Sequence, residues 1–560
     1  MKKVKTLYVI PIVLFVLLGS MALAQTVTVD ASNASPNNTT TFNSLQLAIT
    51  SFQASGDVTA GTNGSGVGNN NGNGAADVIN IITGAVLDEG IFIDAEGGIG
   101  AGLHVLDEAL TIQGSGVFGT VALKMTGNGS IGNDCGLFWC QDVDLTLKNI
   151  YFIPSLTDTP TDDAMYFRQT GNAATMVVTV DNIVVTANNG SGVPVTTTGL
   201  MSASAAENLL STATGFGDDA MYVVSRAEGG SITFNATNMI ISCFNTSFTT
   251  APDRAGEGAN DGIITFMSGT TTDMLNCFVN LGAGCVISDT PRFGIANFYG
   301  GGELTIDGSS DSPVILANIH GDGVWTTSDA IAPTQPTVTS VNNCIICNCD
   351  NSGLKEQETN GRGFIESVTN TIIANCRAPG IEFYSNGTRP AGVSETVTIE
   401  NVTVHNCGYD MADPGANYDF RAAGIASPAY LTTNRSNRNV NITKTIISGL
   451  DLTGLYNSSD GTYDIDCSSL VTENMSGYNY ALGTTTSGPS TITVGADVIN
   501  LNPIYVTYGV DDYASADFMD VDNPAFAGKG CSGIDLAGGA DFIGAWTPPL
   551  AAHNTWMLYQ

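Results

Sequence analysis

Three arginines open what read as three equivalent turns: Arg362-Gly363-Phe364, Arg377-Ala378-Pro379-Gly380-Ile381 and Arg421-Ala422-Ala423-Gly424-Ile425. A guanidinium presents a planar fork that fits carboxylates and sulfates. Arg389, Arg435 and Arg438 lie on neighbouring segments, and Tyr384, Tyr409, Tyr418, Phe420 and Tyr430 fall between them, suited to stacking on sugar rings. The expectation is a strip that binds an acidic glycan through Arg362, Arg377 and Arg421, with Arg389, Tyr384 and Tyr418 beside them. The same arginines can instead pair with Glu356, Glu358, Glu366, Glu382, Asp410 and Asp419 in a solvated ion-pair surface.

In the N-terminal half the corresponding turns carry aspartate: Asp163-Ala164-Met165, Asp219-Ala220-Met221 and Asp261-Gly262-Ile263. Asp162, Asp163, Asp218, Asp219 and Asp261 form a candidate calcium set, since hard oxygen ligands suit that ion. The other reading is turn chemistry, in which aspartate binds nearby backbone. A β-elimination site needs carboxylates and a base over one groove, and Asp350, Glu356, Glu358, Glu366 and Glu382 with Arg377 are the local set for it.

These side chains need a scaffold, and a repeated phrase supplies one. Asn343-Cys344-Ile345-Ile346-Cys347-Asn348-Cys349, Asn370-Thr371-Ile372-Ile373-Ala374-Asn375-Cys376 and Asn401-Val402-Thr403-Val404-His405-Asn406-Cys407 share a branched apolar pair and an Asn-Cys ending. Looser copies begin at Asn182, Asn238 and Lys444. Each reads as one short strand bounded by Asn, Gly or Pro. Uneven spacing fits stacked coils whose loops vary while their strands do not. Asn348, Asn375 and Asn406 would then form a ladder, and Cys349, Cys376 and Cys407 an inward stack. Alternation along a strand sends Cys344 and Cys347 to different faces, which argues against a metal knuckle. Cys135 and Cys140 form the candidate disulfide.

The fold expected from this pattern is all-β: a right-handed, single-stranded parallel β-helix, a solenoid with three strands per coil. A secretory leader spans 1–24, with Lys2, Lys3 and Lys5, an apolar stretch and Ala22-Leu23-Ala24 before Gln25. A short N-terminal cap and a Gly/Asn-rich loop span 25–74, where Phe42 to Phe52 carries a helical spacing of apolar residues. The β-helix spans 75–546, and 547–560 form a C-terminal tail.

Without the leader, 15 basic side chains face 53 acidic ones. That field disfavours nucleic acid and anionic membranes. No segment after the leader is apolar enough for a membrane helix. The expected location is extracellular, periplasmic or on the outer surface of a bacterium.

Two stretches carry a family resemblance. Asp77-Val78-Ile79-Asn80-Ile81-Ile82-Thr83-Gly84, Leu110-Thr111-Ile112-Gln113-Gly114 and Asp144-Leu145-Thr146-Leu147-Lys148-Asn149-Ile150 form the first, and Asp541-Phe542-Ile543-Gly544-Ala545-Trp546 the second. Together they resemble secreted right-handed β-helix proteins of the pectin-lyase-like superfold. The resemblance implies the fold and leaves the activity open. Polygalacturonases of that fold add a His-Gly and an Arg-x-Lys to paired aspartates; His320-Gly321 is present and Arg-x-Lys is not. The first functional expectation is a non-enzymatic extracellular or envelope scaffold that binds glycans or surfaces. The alternative is a lyase or hydrolase acting on an acidic polysaccharide.

Overall fold

The computed structural model describes residues 26–32, 41–51, 77–82, 86–94, 109–114, 121–124, 137–154, 163–170, 175–189, 216, 219–225, 230–242, 261–267, 276–297, 302–309, 311–328, 337–358, 363–385, 395–409, 423–427, 437–449, 453–457, 460–466, 468–470, 479–481, 483–484, 489–495, 498, 505, 507 and 509–514. Its strands stack in parallel, except that Gly483–Thr484 pairs antiparallel with Pro489–Val494. The chain visits a first column, a second column and then a separate smaller sheet before returning to the first. Thus Ser231–Thr237, Ile240–Ser242 and Ile263–Met267 are followed by Cys277–Leu281, Val286–Ser288 and Ile295–Asn297, each pairing with its counterpart. Met165 pairs with Met221 and Thr175 with Ser231, so the two Asp-Asp-Ala-Met-Tyr phrases are one turn of the stack apart.

Like residues lie over like because the pairings keep register, apart from one shift between Thr339 and Ser340. Ile112, Leu147, Val180, Ala236, Leu281, Ile306 and Val341 succeed one another up the first column, all buried. Each branched side chain taken out of water contributes on the order of 1.5–3 kcal/mol. Cys349, Cys376 and Cys407 form the inward thiol stack, their thiols donating to the Cys347, Ala374 and His405 carbonyls. Cys347 belongs to a second apolar cluster on the opposite face of its strand. Cys135 lies outside the described residues, while the buried Cys140 thiol donates to the Val143 carbonyl.

The strand organisation corrects the expected fold. The larger sheet is not an open solenoid of separate strands. The long strands Thr175–Thr186 and Gly363–Ala374 each belong to both columns. Between them, pairing runs through Ser231–Thr237, Cys277–Leu281, Gly302–Asp307 and Thr337–Asn342 on one side. On the other it runs through Ile240–Ser242, Val286–Ser288, Val314–Ile319 and Cys344–Cys349. The hydrogen bonding therefore closes on itself in a ring of ten parallel strands. The 12-stranded smaller sheet is separate, with a linear order and two ends.

The physical reason is a one-residue corner. Asn182 and Asn370 take left-handed φ values of 59° and 47° and bend their strands without ending them. Asparagine adopts that conformation more readily than most residues. Reading asparagine as a strand terminus divided what the backbone keeps continuous. Side chains brace the corners: Asn182 Nδ2 donates to Asn149 Oδ1 at 2.6 Å, and Asn401 Nδ2 to Asn370 Oδ1 at 3.3 Å. A second file of corners holds parts of the expected ladder: Asn348 donates to Asn318 and Asn406 to Asn375, both at 3.0 Å, while the Asn348 Oδ1 that would take Asn375 has no hydrogen bond.

At the N-terminal end the helix is Leu45–Ser51, with Leu45, Ala48 and Ile49 buried. The Glu89 carboxylate accepts from Ser44 Oγ and from the backbone of Leu45 and Gln46. The Gln46 amide pairs with both N and O of Phe92, standing in for another strand at the sheet edge.

Candidate functional site on the outward face of the smaller sheet

Alternation along the smaller sheet separates two faces. Leu354, Ile381 and Phe383 enter the core. Lys355, Gln357, Glu382 and Tyr384 occupy the intervening positions and face the other way. In register along this outward face lie Phe92, Trp139, Tyr166, Tyr222, Ile264, Ala296, Trp325, Lys355 and Glu382.

The N-terminal part of this line is an aromatic pile. Phe92 stacks on Trp139 with centroids 4.2 Å apart, and Tyr166 on Tyr222 at 5.0 Å. Phe92, Trp139 and Tyr166 are buried. The C-terminal part is more open. Trp325 and Tyr384 are half-buried, and Phe293 packs against Trp325 at 4.6 Å with the Arg292 guanidinium over its other side. Trp325 Nε1 donates to Gln357 Oε1 at 3.2 Å.

Lys355 anchors the polar part. Its Nζ lies 3.8 Å from Asp322 Oδ2 and 5.5 Å from the Tyr384 ring centre. Ser352 ties two carboxylates together: its N–H donates to Asp322 and its hydroxyl to Glu382, at 2.9 and 2.5 Å. Asp322, Ser352 and Glu382 are buried, and Asp322 holds the Lys355 ammonium in place. The arrangement suits recognition of a ring with an apolar face and hydroxyl edges, because stacking surfaces alternate with a fixed ammonium and an amide.

Of the expected glycan strip, Arg377 is exposed and Tyr384 lies on this face. Arg362, Arg389, Arg421 and Tyr418 lie outside the described residues. Arg438 is corrected most sharply: it is in the core, hydrogen-bonded to Glu356. The β-elimination set does not come together either. Glu356 points inward, Glu382 outward, Glu366 takes the Ser340 hydroxyl, and Asp350 pairs with His320 at 2.8 Å.

Asp163, Asp219 and Asp261 form a buried file one turn apart. Asp163 accepts the Asp219 N–H, Asp219 that of Asp261, and Asp261 that of Phe293, at 2.9–3.1 Å. They lock successive turns together. Asp162 and Asp218 lie outside the described residues. Among the described residues no group of three or more His, Cys, Asp or Glu side chains converges for a metal ion.

Sequence reasoning passed over Trp325, Phe293 and Asp322. The signal available was the register: once Tyr166 and Tyr222 are equivalent, counting forward by turns brings Trp325 and Lys355 onto the same line.

No family model matches the chain, and no curated protein does. The resemblance to the pectin-lyase-like family is withdrawn, because the larger sheet closes into a ring of ten parallel strands. Among solved structures, the A-module of a mannuronan C-5 epimerase from Azotobacter vinelandii aligns over 76% of this chain and 91% of its own, at 9% identity and a TM-score of 0.35.

Proposed function

We propose that the chain is an exported, non-enzymatic scaffold that binds glycans on the outward face of its smaller sheet. The observation that carries this is the line of Trp325, Lys355, Gln357 and Tyr384 on neighbouring in-register strands, with both aromatic rings half-buried rather than sealed. Trp325 and Tyr384 supply stacking faces, and Lys355 and Gln357 supply donors for hydroxyl or carboxylate oxygens. A lyase or hydrolase reading has less support, because the two carboxylates beside Lys355 are buried and committed to Ser352.

The test is retention on immobilised neutral, uronate and sulfated polysaccharides, followed by tryptophan fluorescence titration. Binding should fall at least tenfold in Trp325→Ala and Tyr384→Ala, with thermal stability retained. Equal binding by both variants, or none by the parent chain, would overturn the proposal. Formation of unsaturated uronate product would favour the lyase reading instead.

A further inference from the structure

A short segment near the C-terminus crosses the outside of the second column, far in sequence from what it touches. The column beneath it runs Ala317, Cys347, Ala374, His405 and Ser448, residue over residue. Ala317, Ala374 and Ser448 are small, and the column spans five strands, about 19 Å at the usual strand spacing. At one end the Tyr505 hydroxyl meets Ser448 Oγ at 2.9 Å, and Ser448 Oγ meets His405 Nδ1 at 3.0 Å. The Tyr505 ring also stands edge-on to the His405 ring at 4.8 Å. Further along, Asn348 donates to the Val510 carbonyl, and Asn318 Nδ2 to the Tyr513 hydroxyl at 2.9 Å. Tyr505 and Tyr513 join the apolar cluster formed by Ile315, Ile345, Cys347 and Ile372.

We propose that the Tyr505–Tyr513 segment is an acid-released strap, held by neutral His405 and covering an apolar strip that includes the Cys347 thiol. Gly449 closes one side of the half-buried imidazole: a Cβ there would lie 2.4 Å from His405 Cε1. The strap sets the Tyr505 phenol against the ring, the strand Ile446–Ser448 presents Ser448, and the strand Gly363–Ala374 presents Ala374. Among these facing groups the phenol is the titratable one. At the far end burial raises the Tyr513 phenol, with Cys347, Asp289 and Asp511 nearby, and Asn318 Nδ2 donates to Asp289 Oδ1 at 3.1 Å as well as to that phenol. A proton added to the ring would place a cation against the Tyr505 ring, where its charge is poorly solvated. Lifting Tyr505 lets water reach it.

The strand Cys344–Cys349 carries its own control. Cys347 lies under the strap, whereas Cys344 and Cys349 face the core. The experiment labels the full chain with 4,4′-dithiodipyridine, a reagent active in acid, and reads each cysteine by peptide mass spectrometry. Cys347 labelling should rise at least tenfold from pH 7.5 to 5.0 while Cys344 and Cys349 stay protected. His405→Gln should abolish the rise, and Tyr505→Phe should speed Cys347 labelling at both pH values. The strap is overturned if Cys347 labels no faster at pH 5.0. It is equally overturned if His405→Gln shows the same rise, or if Cys344 and Cys349 rise in step.

Discussion

Arg438 and Glu356 are 82 residues apart in sequence and hydrogen-bonded inside the core, with neither side chain exposed to solvent. The pair ties the smaller sheet, through Leu354–Glu358, to the larger one, through Asn437–Thr443. A bulge helps to satisfy it. Thr339 pairs with Ile365 and Ser340 with Ser367, so Glu366 is the extra residue, and the Ile365 N–H donates to Glu356 Oε2 at 3.0 Å. The Phe383 ring, 5.5 Å from the guanidinium carbon, completes the enclosure.

Removing one partner leaves the other charge buried and uncompensated. Glu356→Gln and Arg438→Met should each destabilise by about 3–5 kcal/mol in urea unfolding. The double variant Glu356→Leu/Arg438→Met should recover most of that loss. A double variant as unstable as the sum of the two singles would show that the pair is not energetically coupled.

Stability should depend on pH through His405. Burial holds its imidazole down to about 4, from an ordinary 6.5. The unfolded chain therefore takes up this proton first as pH falls. The contribution is complete above pH 6.5 and is lost progressively between 6.5 and 4, by about 3 kcal/mol in all. Asp289, whose carboxyl is raised by burial, acts with the opposite sign. The difference between the parent chain and His405→Gln isolates the histidine: the variant's unfolding free energy should fall less over that range.

How much was legible follows from what a sequence encodes locally. The repeated Asn-Cys phrases and the equivalence of Tyr166 with Tyr222 fixed register, because like residues must stack to bury one face. The direction of Arg438 was not legible: its charge suggests a surface, and only the position of Glu356 across the core makes burial tolerable. The continuity of Thr175–Thr186 was hidden for a different reason. Asn182 is a turn residue by composition, yet here its left-handed backbone preserves pairing on both sides. Trp325 was missed because its partners come from other strands and from the loop residue Phe293, none of them near it in a motif.

The asparagine corners should tolerate glycine better than alanine. At Asn182, φ is 59° and the side chain donates to Asn149. Asn182→Ala keeps a Cβ in the left-handed region without the short polar side chain that eases it, at up to about 1–2 kcal/mol, and also removes the hydrogen bond. Asn182→Gly removes the bond without that strain. Chemical unfolding should therefore rank the parent chain above glycine and glycine above alanine; the reverse order for the two variants would mean that backbone strain does not govern the corner.

Glycines stand opposite the thiol stack at Gly323, Gly380 and Gly353, and Gly353 shows what they do. A Cβ there would lie 2.6 Å from Ile373 Cγ2 and 2.8 Å from the Gly380 carbonyl, with Cys376 Sγ at 3.3 Å. Backbone and a branched side chain cannot both retreat, so Gly353→Ala should cost about 1–3 kcal/mol through overpacking. Pairing it with Ile373→Val, which shortens the opposing side chain, tests the cause. If steric contact is responsible, the double variant should be more stable than expected from adding the two single effects. Strict additivity would place the cost elsewhere, in the approach to the Gly380 backbone that no side-chain truncation relieves.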